Sequence, residues 1–97
     1  MGWSVVFSIR SRDDLRRIVE FIARDDAVAA ERFGLALIAH AESLANAPHI
    51  GVPLPERPGT RFFPLGAYLI IYRADEARQM VKILRFWHGA RGKRPLR

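Results

Sequence analysis

Between Leu15 and Leu44 the apolar side chains recur every three or four residues, and Asp25-Asp26 is the one break in that rhythm. Leu15, Ile18, Val19 and Ile22 make one stripe, and Ala30, Phe33, Leu37, Ala41 and Leu44 make a second. A period of 3.6 places each stripe along one side of a helix. Ser11 is expected to cap the first helix, with Asp13 and Asp14 in its first turn, where the positive end of the helix dipole favours acids. Asp25 and Asp26 can cap the second, and so short a connection makes the two helices antiparallel neighbours. Gly34 and the alanines of the second stripe would let them approach closely. Asn46 and Pro48 end the hairpin.

On either side the period changes to two. Trp3, Val5, Phe7 and Ile9 alternate with Ser4, Val6 and Ser8, which predicts a strand before the hairpin. After it, residues 48–60 hold four prolines and two glycines and read as an extended connection. Three strands follow: Thr60–Phe63, then Ala67–Arg73 after Pro64-Leu65-Gly66, then Met80–Trp87 after a turn in Ala74–Gln79. Connections this short give an antiparallel meander. The order β-α-α-β-β-β predicts an α+β domain, with the helical hairpin packed on one face of a small, mostly antiparallel sheet. At 97 residues the chain has room for one core, so 1–97 is read as one domain, with 89–97 as a basic C-terminal tail.

Charge is distributed unevenly. Residues 1–76 carry nine basic and ten acidic side chains, whereas 77–97 carry seven basic and none acidic. That end suits a polyanion or an acidic protein segment, or is a solvated tail. There is no cysteine, which excludes a disulfide framework, a thiolate metal site and a cysteine nucleophile. No run approaches the roughly 20 apolar residues of a membrane span, and the N-terminus lacks the pattern of a signal peptide. A soluble, cytoplasmic protein is expected.

With Arg73 placed opposite Gln79, the last hairpin puts Tyr68, Ile70, Tyr72, Lys82, Leu84, Phe86 and His88 on one face. Leu69, Ile71, Val81 and Ile83 fall on the other, which is the better core. A slip of one residue would reverse this assignment. The mixed face suits stacking on nucleic acid or docking of an amphipathic peptide, unless its apolar members are simply core. His40, His49 and His88 lie in different elements without metal-ligand spacing, so neither metal nor cofactor is expected. His40 reads as a surface or edge histidine. Cleavage of RNA through its own 2′-OH would need cations around the phosphate and a group able to move a proton near neutral pH. Arg61, Arg73, Lys82, Arg85 and Arg91 could supply the cations, and His88 the proton.

Taken together, Asp14-Leu15 through Ile18, Phe21-Ile22-Ala23, Leu44, Pro48, Ile50-Gly51, Pro53, Arg61, Gly66, Tyr68 to Tyr72-Arg73 and the run Val81 to Arg91 resemble the ParE/RelE superfamily of toxins from type II toxin–antitoxin modules. The resemblance spans roughly residues 5–94 and leans to the ParE branch. It implies a toxin silenced by a cognate antitoxin whose flexible, acidic C-terminal segment wraps it. The ParE branch acts on DNA gyrase without being known to cleave RNA. The RelE branch cuts messenger RNA on the ribosome with cations of the sheet and a late tyrosine or histidine. Arg61, Arg73, Arg85 and His88 stand near the nucleolytic positions, yet no tyrosine follows Tyr72, and the ending His88-Gly89-Ala90-Arg91 is ParE-like. The implied reading is inhibition of gyrase by protein–protein contact, without catalysis. Its contact surface is expected among Tyr68, Tyr72, Lys82, Phe86, Trp87, His88, Arg91, Lys93 and Arg94. A metal-independent endoribonuclease and an inactive antitoxin-binding relative are the alternatives. Operator DNA would be reached through the antitoxin, and a membrane not at all.

Overall fold

The computed structural model describes residues 2–90. Strand β1 (Ser4–Phe7) leads into helices α1 (Ile9–Ala23) and α2 (Ala27–Glu42), and a tight helical turn at Ser43–Ala45 follows. Strands β2 (Val52–Pro53), β3 (Thr60–Leu65), β4 (Tyr68–Asp75) and β5 (Met80–His88) complete a five-stranded sheet of order β1-β5-β4-β3-β2. β1 runs parallel to β5 and every other pair is antiparallel. The fold is thus a helical hairpin on a mixed, mostly antiparallel sheet, as the periodicity predicts, with β2 as an added edge inside the proline-rich connection.

Both helical stripes are buried as expected. Ile18, Leu37, Ala41 and Leu44 meet Ile70, Tyr72, Val81, Ile83 and Phe86 in one core, flanked by Trp3, Val5, Phe7, Leu15, Ile22, Phe33, Phe63 and Tyr68. Gly34 is buried where α2 crosses α1, and a Cβ added there would lie 2.8 Å from Val19 Cγ2. Gly34→Ala would gain roughly 1 kcal/mol of helix propensity at an exposed position. Here it is expected to lower the melting temperature in a thermal scan, because Val19 is branched at Cβ and has few rotamers to retreat into.

The strand expected to reach Ile9 ends two residues earlier. Ile9 opens α1 and is 83% exposed. Ser8, not Ser11, is the N-cap: its Oγ accepts the Ser11 N–H and donates to the Leu84 carbonyl, tying the helix start to β5. Ser11 is buried, and its Oγ donates to the Ser8 carbonyl. The cap falls earlier because the parallel β1–β5 pairing stops at Phe7–Ile83. Asp26 caps α2 through the Ala29 N–H. Pro64 and Leu65, expected in a turn, belong to β3, and the turn shrinks to Gly66-Ala67. Beyond Phe62, β3 has no partner on the β2 side, so a proline is tolerated there.

The largest departure is in register. Arg73 faces Lys82 and Tyr72 faces Ile83, but Ile71 faces Arg85, so Leu84 is skipped in a β-bulge. Before the bulge Val81 and Ile83 point to the core, and after it Phe86 does. The helix-facing side therefore carries Tyr68, Ile70, Tyr72, Val81, Ile83, Phe86 and His88. Lys82 is turned to the opposite side, with Arg73. The even alternation expected along β5 fails because one extra residue shifts the phase midway.

Candidate functional site

The bulge brings together three residues that the sequence singles out. Tyr68 and His88, direct partners at the ends of β4 and β5, face α1 together with Phe86. With Asp14, Arg17, Ile18 and Phe21 from α1 they line a cleft of about 450 Å³. The Tyr68 ring stands edge-on to His88, with centroids 5.0 Å apart, and tilts against Phe33 of α2. Phe21 is 64% exposed at the cleft's lip, beside the exposed Arg17. Such a lining, aromatic with one arginine at its margin, has the chemistry to take an apolar anchor.

Histidine 88 is committed in one respect. Its Nδ1 accepts the Ala90 N–H, so the proton of the neutral ring sits on Nε2.

Arg85 is held at the floor of this region. Its Nε and Nη2 donate to the two oxygens of Asp14 at 2.7 and 3.1 Å, and the Phe86 N–H also donates to Asp14, at 3.1 Å. Both side chains are nearly buried, and the guanidinium lies 5.3 Å from the Trp87 ring centroid. β1 stops pairing at Ile83, so β5 has an open edge from the bulge onward, and Arg85 reaches round it to α1. One carboxylate thus satisfies a guanidinium and a backbone group the sheet leaves unpaired.

Arg61 is similarly engaged: its Nη1 donates to the carbonyls of His49 and Gly51. Tyr72, fully buried, donates from its hydroxyl to the Pro48 carbonyl and accepts the Gly51 N–H. Burial pushes its phenol pKa up, partly offset by the Gly51 N–H and by Arg61. Tyr72 has no surface to offer a partner, and its polar end is spent on the loop. Arg73 and Lys82 sit on the far face of the sheet, across it from His88. His40 stacks flat on Phe63 and meets the Pro64 carbonyl, an edge position as expected. His49 pairs with Glu76. Among the described residues no group of three or more His, Cys, Asp or Glu side chains could hold a metal ion, and no helix is long and apolar enough to cross a membrane. Arg91, Lys93 and Arg94 lie outside the described residues.

This architecture and sequence have known counterparts. Residues 5–92 match the family described as the ParE toxin of the type II toxin–antitoxin system parDE. The chain belongs to the ParE toxin family. The toxin is 33% identical over 91 residues to Toxin RelE1 of Caulobacter vibrioides, across 92% of this chain and 96% of that one. Among solved structures it is similar to the toxin–antitoxin complex RelBE2 of Mycobacterium tuberculosis, with TM-score 0.71 and 28% identity over 91% of this chain and 99% of that one. It also shares the fold of the chromosomal ParDE system of P. aeruginosa, with TM-score 0.76 and 19% identity over 90% and 96% of the two chains.

Two features of this ParE-family toxin escaped the sequence reading. One is Asp14, taken for a dipole-stabilising acid in the first turn. It lies four residues before Ile18, on the buried stripe, and an acid on a buried stripe calls for a cation. The other is Phe21, which the sequence names only within the stretch that resembles the family. A large exposed aromatic beside an arginine is the signal that could have marked it.

Proposed function

We propose that this toxin inhibits DNA gyrase by protein–protein contact, through the cleft around Tyr68, Phe86 and His88 and the basic end that follows it, and that a cognate antitoxin silences it. One observation carries the choice of contact over RNA cleavage: the four groups that stand near the nucleolytic positions do not converge. Arg61 is spent on loop carbonyls and Arg85 on Asp14, while Arg73 and His88 lie on opposite faces of the sheet. A phosphoryl-transfer site needs its cations and its proton carrier within reach of one phosphate. The cleft instead offers aromatic surface, Arg17 at its rim and an exposed Phe21 to anchor a partner. The antitoxin partner is supported by the similarity to RelBE and ParDE toxin–antitoxin complexes.

Purified toxin is expected to block plasmid supercoiling by gyrase, while mapping of mRNA 5′ ends after a pulse of expression finds no new ends. Phe21→Glu is expected to weaken gyrase inhibition at least about tenfold at an unchanged melting temperature, the range of a centrally placed aromatic contact. Unaltered supercoiling at toxic concentrations, with new mRNA ends that vanish in His88→Ala, would transfer the toxin to the ribosome-dependent nucleases. Loss of a group that moves a proton costs about 10²–10⁴ in rate, well outside the effect of a lost contact.

A further inference from the structure

Helix α2 repeats one spacing on two sides. Ala30, Gly34, Leu37 and Ala41, separated by four, three and four residues, are buried. On the side turned away from the core, Val28, Arg32, Leu35, Ala39 and Glu42 recur at four, three, four and three, and all five are exposed. Val28 is 67% and Leu35 62% exposed. A solvated helix face usually carries charge, as α1 does with Arg10, Arg12, Arg16, Arg17 and Glu20. The outer face of α2 instead sets Leu35 beside the small Ala36 and Ala39. Alternate steps of three and four mark a seam on which a second helix lies, each side chain entering the space between four of its partner's. The two charges of the strip are unspent: neither Arg32 nor Glu42 makes an ion pair or side-chain hydrogen bond with the described residues.

From this we infer that α2 is the seam of a symmetric toxin dimer, across which the same face of a second copy packs antiparallel. The strip contains its own complement. In that pairing Leu35 lies on Ala39 of the second copy and Arg32 faces Glu42 of the second copy, and the two-fold axis repeats both contacts. Large meets small at the centre, which lets the helices approach closely, and one ion pair closes each end. Ten residues of helix separate Arg32 from Glu42, so the two pairs stand about 15 Å apart. The charges also select this arrangement. A parallel pair in register would set arginine on arginine and glutamate on glutamate. An antiparallel pair slid by seven residues would bury Arg32 against Leu35 and set Glu42 opposite Asp25, another acid. A seam of four layers is smaller than a standard interface, so the dimer is weak, with a Kd above about 1 μM. None of the five seam residues lines the cleft at Tyr68, Phe86 and His88, so the inference does not depend on the toxin's target.

Sedimentation equilibrium of the purified toxin, from about 10 μM to about 1 mM, tests this. The mean mass of the native protein is expected to climb from one copy towards two. Arg32→Glu and Glu42→Arg, each measured alone, should weaken self-association at least about tenfold, since each sets like charges face to face at both ends. Mixed in equal amounts, the two variants should associate again, because every facing pair is then of opposite sign. Leu35→Glu should hold the toxin as a single copy. All three changes lie on the exposed face, so the melting temperature of dilute protein should match the native one. Native toxin that stays a single copy at the highest concentration would overturn the inference. So would single variants that associate as strongly as the native protein, or a mixture that recovers nothing. A native single copy whose Arg32→Glu variant no longer binds the antitoxin would give the strip to that partner and remove the second copy as its occupant.

Discussion

Alanine in place of Asp14 is expected to cost the toxin about 3–5 kcal/mol, the usual penalty for leaving a buried charge without its partner. For a domain of this size that is a drop of roughly 15–30 °C in melting temperature. The size follows from what the carboxylate holds: two N–H groups of Arg85 and the Phe86 N–H, beside a guanidinium that is only 12% exposed. Asp14→Asn keeps an acceptor for Phe86 and should fall between the two. Combining Asp14→Leu with Arg85→Met should recover most of the loss, because removing both charges abolishes the desolvation penalty. A cycle in which the effects of the single changes simply add would show that Arg85 and Asp14 are not coupled. The cycle also bears on function: an arginine that anchors β5 to α1 changes activity only through stability, whereas one that contacts RNA changes it directly.

The second large effect is expected at Tyr72. Removing its hydroxyl in Tyr72→Phe strips the Gly51 N–H and the Pro48 carbonyl of their partner. A buried polar group left unpaired costs about 1–3 kcal/mol, so denaturant titration should register a loss of about 2–4 kcal/mol. The same residue gives the stability curve an alkaline limb. Burial raises the Tyr72 pKa above its ordinary 10.0. Above about pH 10 the unfolded tyrosine therefore loses its proton while the folded one keeps it. The unfolded state then binds fewer protons, and stability falls as pH rises from there to the folded-state pKa. In Tyr72→Phe this contribution to the limb should disappear.

Much of the fold was legible because it rests on short-range periodicity. The stripes of α1 and α2, the Asp26 cap and the β4–β5 hairpin follow from residues a few positions apart. What stayed hidden depends on partners far along the chain. Ser8 displaces Ser11 as the cap because it also meets Leu84, 76 positions away. Asp14 is a lock rather than a dipole acid because Arg85 lies 71 positions on. The bulge at Leu84 leaves no mark in the alternation of β5, so Lys82 was placed on the face of Phe86 when it belongs to the other. Tyr68, Phe86 and His88 do share a face as read from the sequence. Arg61 and Arg85, legible as cations, became structural once the loop carbonyls and Asp14 came within reach.

The parallel pairing of the first strand with the last fixes the order in which this toxin can become dangerous. Ser4 is matched with Met80 and Phe7 with Ile83, so β1 has no sheet to join until β5 has been synthesised. β5 also supplies Val81, Ile83 and Phe86 to the core and Arg85 to the lock. A growing chain that has completed its helical hairpin still lacks the surface that closes over it, and closure across such a span is slow compared with helix formation. Translation thus acts as a timer: the cleft comes into being only once β5 has been made through His88, and an antitoxin already present meets each copy as it forms.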